Sequence, residues 1–227
     1  MPYELADHVS CCDVDDRTVF LDVARDRYFL LPPALEAAFR ALQSGGRPPE
    51  RYRLSLVASG LLVEASRATH ASESLPLPTR SVLEQAEASA DARPSLAAVT
   101  EVLVCVCLMR LRLRTERLQK ILARASGRDS RAVPPLIADA DVSAQDRLAT
   151  ASAQFMLARR YVPIERTCLL DSLSLVRFLA RRQLRAALVF GVTLHPFAAH
   201  CWVQAGDLLL NETLSDANTY TPIRVIG

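Results

Sequence analysis

The sequence predicts an α+β protein in two domains, and three observations predict it. The chain has 227 residues, more than one typical domain of roughly 100 to 200 residues requires. Residues 1–64 read as strands followed by helices, whereas the last sixty or so residues read as a helix followed by strands, so helices and strands are segregated rather than alternating. Between them the composition shifts to Ala, Ser, Thr, Glu and Pro. That shift reads as a linker over residues 65–94, leaving 1–64 and 95–227 as the two domains.

In the first domain, residues from His8 to Leu31 alternate as half-buried strands do. Val19, Leu21 and Val23 share one face, and Tyr28 and Leu30 lead a second run. Asp13, Asp15 and Asp16 make one turn and Ala24-Arg25-Asp26 the next. Pro32 and Pro33 open a helix, since proline's fixed φ suits a first turn. Leu35, Ala38, Phe39 and Leu42 recur at three and four, and Gly45-Gly46 end the element. A second helix covers Glu50 to Ser59, followed by Gly60 and the apolar run Leu61-Leu62-Val63. Three strands followed by helices in so short a span make a winged-helix-like module.

The linker has room for a short helix from Arg80 to Ala90. Ser95 is placed to cap one long helix running past Lys120 and ending near Gly127. Pro134-Pro135 break the chain, and Val142 to Tyr161 read as a further helix. Thr167 can cap a helix beginning at Cys168, with Leu169, Leu170, Leu173, Val176, Leu179 and Ala180 as its apolar stripe. Three strands follow, at Ala186–Leu194, Ala199–Gln204 and Leu208–Glu212.

Composition narrows the function. Half the residues are hydrophobic and 23% are charged, which supports a packed core. A formal charge of +2 gives no field that would make nucleic acid the default partner. Lys120 is the only lysine, and the arginines are scattered, including the solvated run Arg110 to Arg117. The start of the chain carries no secretion signal, and Val102 to Met109 is too short to cross a bilayer, so a cytoplasmic protein without a membrane partner is expected. Six cysteines in a reducing compartment are expected to be free thiols. Cys11-Cys12 and Cys105-Val106-Cys107 lack paired ligands at zinc spacing, and no phosphate-cradling glycine motif is present. No metal and no cofactor is expected.

One constellation can do chemistry. At a helix start, unpaired N–H groups and the positive dipole end favour the thiolate of Cys168 and can steady an oxyanion. A cysteine beside two leucines is more often a small core residue. His200 changes the balance. If Ala205-Gly206-Asp207 form a three-residue turn, His200 faces Glu212 across the hairpin, and the carboxylate can orient the imidazole as a third group orients a catalytic base. That register puts Asn211 on the other face and leaves Asp207 and Asp216 as weaker candidates.

Thr167-Cys168-Leu169, Ser172-Leu173, Leu175, Leu188-Val189-Phe190-Gly191-Val192, Pro196-Phe197 and His200-Cys201-Trp202-Val203 resemble the B proteins of lasso peptide biosynthesis, over about Pro163 to Ile223. The resemblance implies a papain/transglutaminase-like cysteine peptidase domain. The family usually has Asp where this chain has Glu212 and often Ala where it has Cys201. Val19-Phe20-Leu21-Asp22 and Arg27-Tyr28-Phe29-Leu30-Leu31 are similar to the leader-recognition element related to the pyrroloquinoline-quinone chaperone. Val19, Phe20, Leu21, Tyr28, Phe29 and Leu30 are then expected to bind a leader peptide added as a strand. The implied activity is hydrolysis of the leader–core bond of a ribosomally made precursor by Cys168, His200 and Glu212. The implied partners are that precursor and an asparagine-synthetase-like macrolactam synthetase. A thioester-forming acyltransferase and a non-catalytic leader-binding adaptor are the alternatives.

Overall fold

The computed structural model describes residues 3–64, 75–86, 93–126 and 142–227. The chain divides into two compact units, Met1–Glu73 and Ser74–Gly227. Pro134-Pro135 and the expected helix end at Gly127 lie outside the described residues.

In the first unit, β1 (Tyr3–Leu5) pairs antiparallel with β5 (Leu62–Glu64), joining segments about sixty residues apart in sequence. A separate antiparallel sheet has the order β2-β3-β4, from β2 (Val9–Val14), β3 (Arg17–Asp22) and β4 (Arg27–Leu30). Asp15 and Asp16 both take positive φ, the conformation that a two-residue hairpin turn needs to match strand twist. Helices α1 (Pro33–Gln43) and α2 (Glu50–Ala58) follow. Phe20 anchors the core, with ring centroids 5.0 Å from Phe39 and 5.3 Å from Phe29. The buried Glu36 accepts from the Thr18 N–H at 2.7 Å and from Arg17 at 2.9 Å, tying α1 to β3. Burial along β3 departs from the expected alternation: every residue from Thr18 to Asp22 is buried. The central strand is covered on both faces, so Val19 and Leu21 do not lie on a half-wet surface.

The second unit begins inside the segment assigned to a linker. Arg80–Ser81 form β6, which runs parallel to a strand of the unit's main sheet, and α3 covers Val82–Ala86. The long helix expected from Ser95 is two helices, α4 (Leu96–Thr115) and α5 (Leu118–Ala125). Ser95 does cap α4, accepting from the Ala98 N–H. Glu116 breaks the run in an extended conformation, φ −121° and ψ 152°, and its carboxylate pairs with Arg124 of α5. No glycine or proline marks that break, so the apolar pattern runs through it. Next come α6 (Val142–Arg159) and α7 (Cys168–Ala180).

The sheet of this unit has the order β10-β7-β8-β9-β6, from β7 (Ala187–Leu194), β8 (Phe197–Ala205), β9 (Leu208–Leu209) and β10 (Thr221–Ile226), with α8 (Leu214–Ala217) between the last two. β10 was not expected from sequence. Pro222 argues against a strand, but β10 is an edge strand, where a missing N–H costs no ladder bond. α7 lays Leu170, Leu173, Leu175, Phe178 and Leu179 into the core, and the Phe178 ring packs edge-on against Phe155 of α6 at 5.3 Å. Among the described residues, no helix is long and apolar enough to cross a membrane.

Candidate active site

The loop before α7 is held by a buried guanidinium. Arg159, 1% exposed, donates through Nε to Asp171 at 2.8 Å and through its other nitrogens to the carbonyls of Val162, Ile164 and Glu165. Arg166 reaches the second Asp171 oxygen at 3.0 Å. These bonds fix residues 162–166 immediately ahead of Thr167. Thr167 is extended and its hydroxyl accepts from the Leu170 N–H, so α7 starts at Cys168. The first-turn N–H groups of a helix have no intrahelical acceptors, and the thiol sits among them.

His200 lies on β8 with its imidazole turned to that thiol, with which it is hydrogen-bonded. Its Nε2 donates to Glu212 Oε2. Glu212 Oε1 accepts from the Thr213 N–H at 3.0 Å. The three expected residues are therefore brought together, but not by the expected register. The turn is Gly206-Asp207 alone, with Ala205 opposite Leu208 and Gln204 opposite Leu209, and Gly206 takes φ +58°. Continued as a ladder, this pairing would put Glu212 on the wrong residue. Instead β9 stops at Leu209, and the bend that follows carries the carboxylate to the imidazole.

Four side chains hold that bend. Asn211 Oδ1 accepts from the Val203 N–H at 2.7 Å, where a strand carbonyl would otherwise pair, and its Nδ2 donates to Ser172 Oγ at 2.9 Å. Ser81 of β6 donates to the Glu212 carbonyl at 2.6 Å, and Ser152 of α6 donates to the Leu210 carbonyl. Asn211 thus positions the acid rather than replacing it. Asp207 is bound to Thr79 and Arg80, which holds its carboxyl down at about 2, and Asp216 sits in α8. Neither is part of the constellation.

The imidazole is bracketed by aromatic rings, with Tyr220 at 5.2 Å and Trp202 at 6.2 Å between centroids. Gly191 lies opposite His200 in the β7–β8 ladder. A Cβ there would sit 2.7 Å from the Trp202 ring and 2.8 Å from Tyr220 Cβ, so any side chain forces its neighbours to shift. An isolated glycine in a strand pattern signals such an approach.

Cys201 is the neighbour whose role the sequence did not disclose. It is buried, and both its thiol and its N–H bond the sulfur of Cys168. The Cys201 thiol first, then the His200 hydrogen bond and charge, and last the Cys201 N–H lower the Cys168 thiol from 9.0 to about 4 against the opposing effect of burial. His200 is raised from 6.5 to about 9, first by Cys168 and then by Glu212. Cys201 is driven well above the usual cysteine range by donating to Cys168 and by burial. At neutral pH the arrangement is a thiolate–imidazolium pair with a neutral thiol beside it, the protonation state that a cysteine nucleophile requires.

Of the expected leader-binding residues, Val19, Phe20 and Leu21 lie on β3, flanked by β2 and β4, so their backbone already pairs on both sides. Tyr28, Phe29 and Leu30 lie on the edge strand β4. Among the described residues, no group of three or more His, Cys, Asp or Glu is arranged to hold a metal ion.

A family model described as the transglutaminase-like superfamily matches residues 105–225, from the middle of α4 through β10. No curated protein and no solved structure matches the chain.

Proposed function

The chain belongs to the transglutaminase-like superfamily, and from that premise we propose that it is a cysteine peptidase that removes the leader from a ribosomally made precursor in lasso peptide maturation. The observation that carries the chemistry is the Cys168–His200–Glu212 line, with the thiol at a helix start and the imidazole braced through its Nε2. The Cys168 thiolate attacks the scissile carbonyl while the N–H groups at the start of α7 stabilise the oxyanion. The imidazolium of His200 then protonates the leaving amine, and the neutral imidazole activates the water that releases the acyl group. Glu212 keeps the ring oriented and stabilises its charge throughout. Cys201 lowers the basicity of the thiolate without taking a proton.

The β2-β3-β4 sheet supports the second half of the reading. Read as the winged-helix-like recognition module of residues 1–64, it takes the leader as a further strand on β4, with Tyr28, Phe29 and Leu30 lining the contact and Val19, Phe20 and Leu21 serving as its buried backing. The cut core then passes to the macrolactam synthetase. The work is assigned to the cytoplasm, with no cofactor.

An amine can replace water on the same thioester, so the reading is tested by product mass. Incubation with the precursor should give free leader and free core, and Cys168→Ala should abolish both while leaving leader affinity unchanged. A joined leader–amine product identifies an acyltransferase, and cleavage undiminished by Cys168→Ala overturns the proposed nucleophile.

A further inference from the structure

Two free thiols meet at this site, and peptide hydrolysis needs one. Cys168 and Cys201 are unbridged. They come from adjoining elements, α7 and β8, which are clamped one turn below the nucleophile, where Ser172 Oγ donates to the Cys201 carbonyl at 3.2 Å. Cys168 is half-buried and reachable, whereas Cys201 is 3% exposed and shielded from reagents in solution. A reactive outer thiol against a protected inner one is the layout of an attacking and a resolving cysteine.

We propose that Cys168 and Cys201 form a hydroperoxide-sensitive pair, in which Cys168 takes the oxygen and Cys201 closes a disulfide that switches the site off reversibly. In the first step the Cys168 sulfur attacks the distal oxygen of a hydroperoxide and the O–O bond breaks. The leaving oxygen takes the proton of the His200 imidazolium, giving an alcohol or water and the Cys168 sulfenic acid. In the second step the Cys201 sulfur attacks Cys168 Sγ, the S–O bond breaks, and the departing hydroxide takes the Cys201 proton and leaves as water. The sum consumes one hydroperoxide and two thiols and yields one disulfide, the alcohol or water left from the hydroperoxide, and one further water.

The electrostatics time the second step. Cys201 holds its proton chiefly because it donates to the Cys168 thiolate. Conversion of Cys168 to a neutral sulfenic acid removes that charge and leaves burial as the remaining brake on the Cys201 thiol, so oxidation of the first sulfur favours attack by the second. The disulfide in turn guards Cys168 from the irreversible sulfinic stage.

The test uses the reduced full chain, at least two equivalents of hydrogen peroxide, denaturing alkylation and trypsin. Cys168 then falls in the peptide Thr167–Arg177 and Cys201 in Ala186–Arg224. The expected result is these two peptides joined, lighter by two hydrogens, with loss of both alkylatable thiols and their recovery by dithiothreitol. Cys201→Ala and Cys201→Ser should instead carry Cys168 to a sulfinic acid that dithiothreitol does not reverse. Wild-type protein showing Cys168 heavier by two oxygens with Cys201 still alkylatable, or a bridge formed elsewhere, overturns the proposal. No peptide substrate enters the measurement, so its outcome is independent of whether the peptidase reading stands.

Discussion

The charge state of Cys168 and His200 sets a testable pH window. The active form needs the thiolate, which appears as pH rises through about 4, and the imidazolium, which is lost as pH rises through about 9. Cleavage should therefore follow a bell with those limbs, read as kcat/KM against pH. Glu212 is one of the groups that raise His200. Removing its charge in Glu212→Gln should move the alkaline limb to lower pH and cut kcat by roughly 10² to 10⁴, whereas Glu212→Asp should keep the limb near its wild-type place. Gly191 acts through geometry instead. A Cβ at 2.7 Å from Trp202 forces the ring back by several tenths of an ångström, and the bracket around His200 moves with it. Gly191→Ala should lower kcat by on the order of tenfold, given that a 1 Å misplacement can cost about a hundredfold, while alkylation of Cys168 continues.

Among the elements, the ones that bring Cys168, His200 and Glu212 together are fixed by buried polar contacts rather than by the apolar pattern. Arg159 holds the approach to α7 through Asp171 and three carbonyls. Arg159→Met leaves those acceptors buried and Asp171 with Arg166 alone, and should destabilise the fold by about 3 kcal/mol, read as a lower urea midpoint. The start of α7 was legible in the sequence because Thr167 and the leucine stripe are local signals. So were α1 and the β2–β3 turn, where prolines and aspartates mark the chain. The pairing of Glu212 with His200 was legible as a pair of residues but not as a path. The sequence suggested a continuous ladder after a three-residue turn, whereas the chain turns in two residues and then bends. What makes the bend is long-range: Ser81 and Ser152 come from distant elements, and a serine offers no hint of which carbonyl it will meet. The break at Glu116 and the pairing of β1 with β5 were hidden for the same reason, since each is decided by a partner remote in sequence or by a conformation that no breaker residue marks.

At the scale of the whole molecule, the chain joins a unit with a sheet edge to a unit that carries Cys168 at a helix start. On the proposed reading, binding in the first and cutting in the second would separate kinetically, because a tethered leader would raise the local concentration of the scissile bond without altering the chemistry performed on it. Leu30 offers a way to test the division, since it is on edge strand β4 and 39% exposed, so a charge there is solvated in the free protein. Docking a leader strand against it would bury that charge without a partner. Leu30→Glu should therefore raise KM for the full precursor by about tenfold or more. Its kcat should be unchanged, because nothing around Cys168 is touched. A short peptide spanning only the leader–core junction has no strand to add, so its kcat/KM should be the same for Leu30→Glu and wild type. A fall in kcat, or an equal loss on the leaderless peptide, would mean that β4 supports the fold and does not receive the leader.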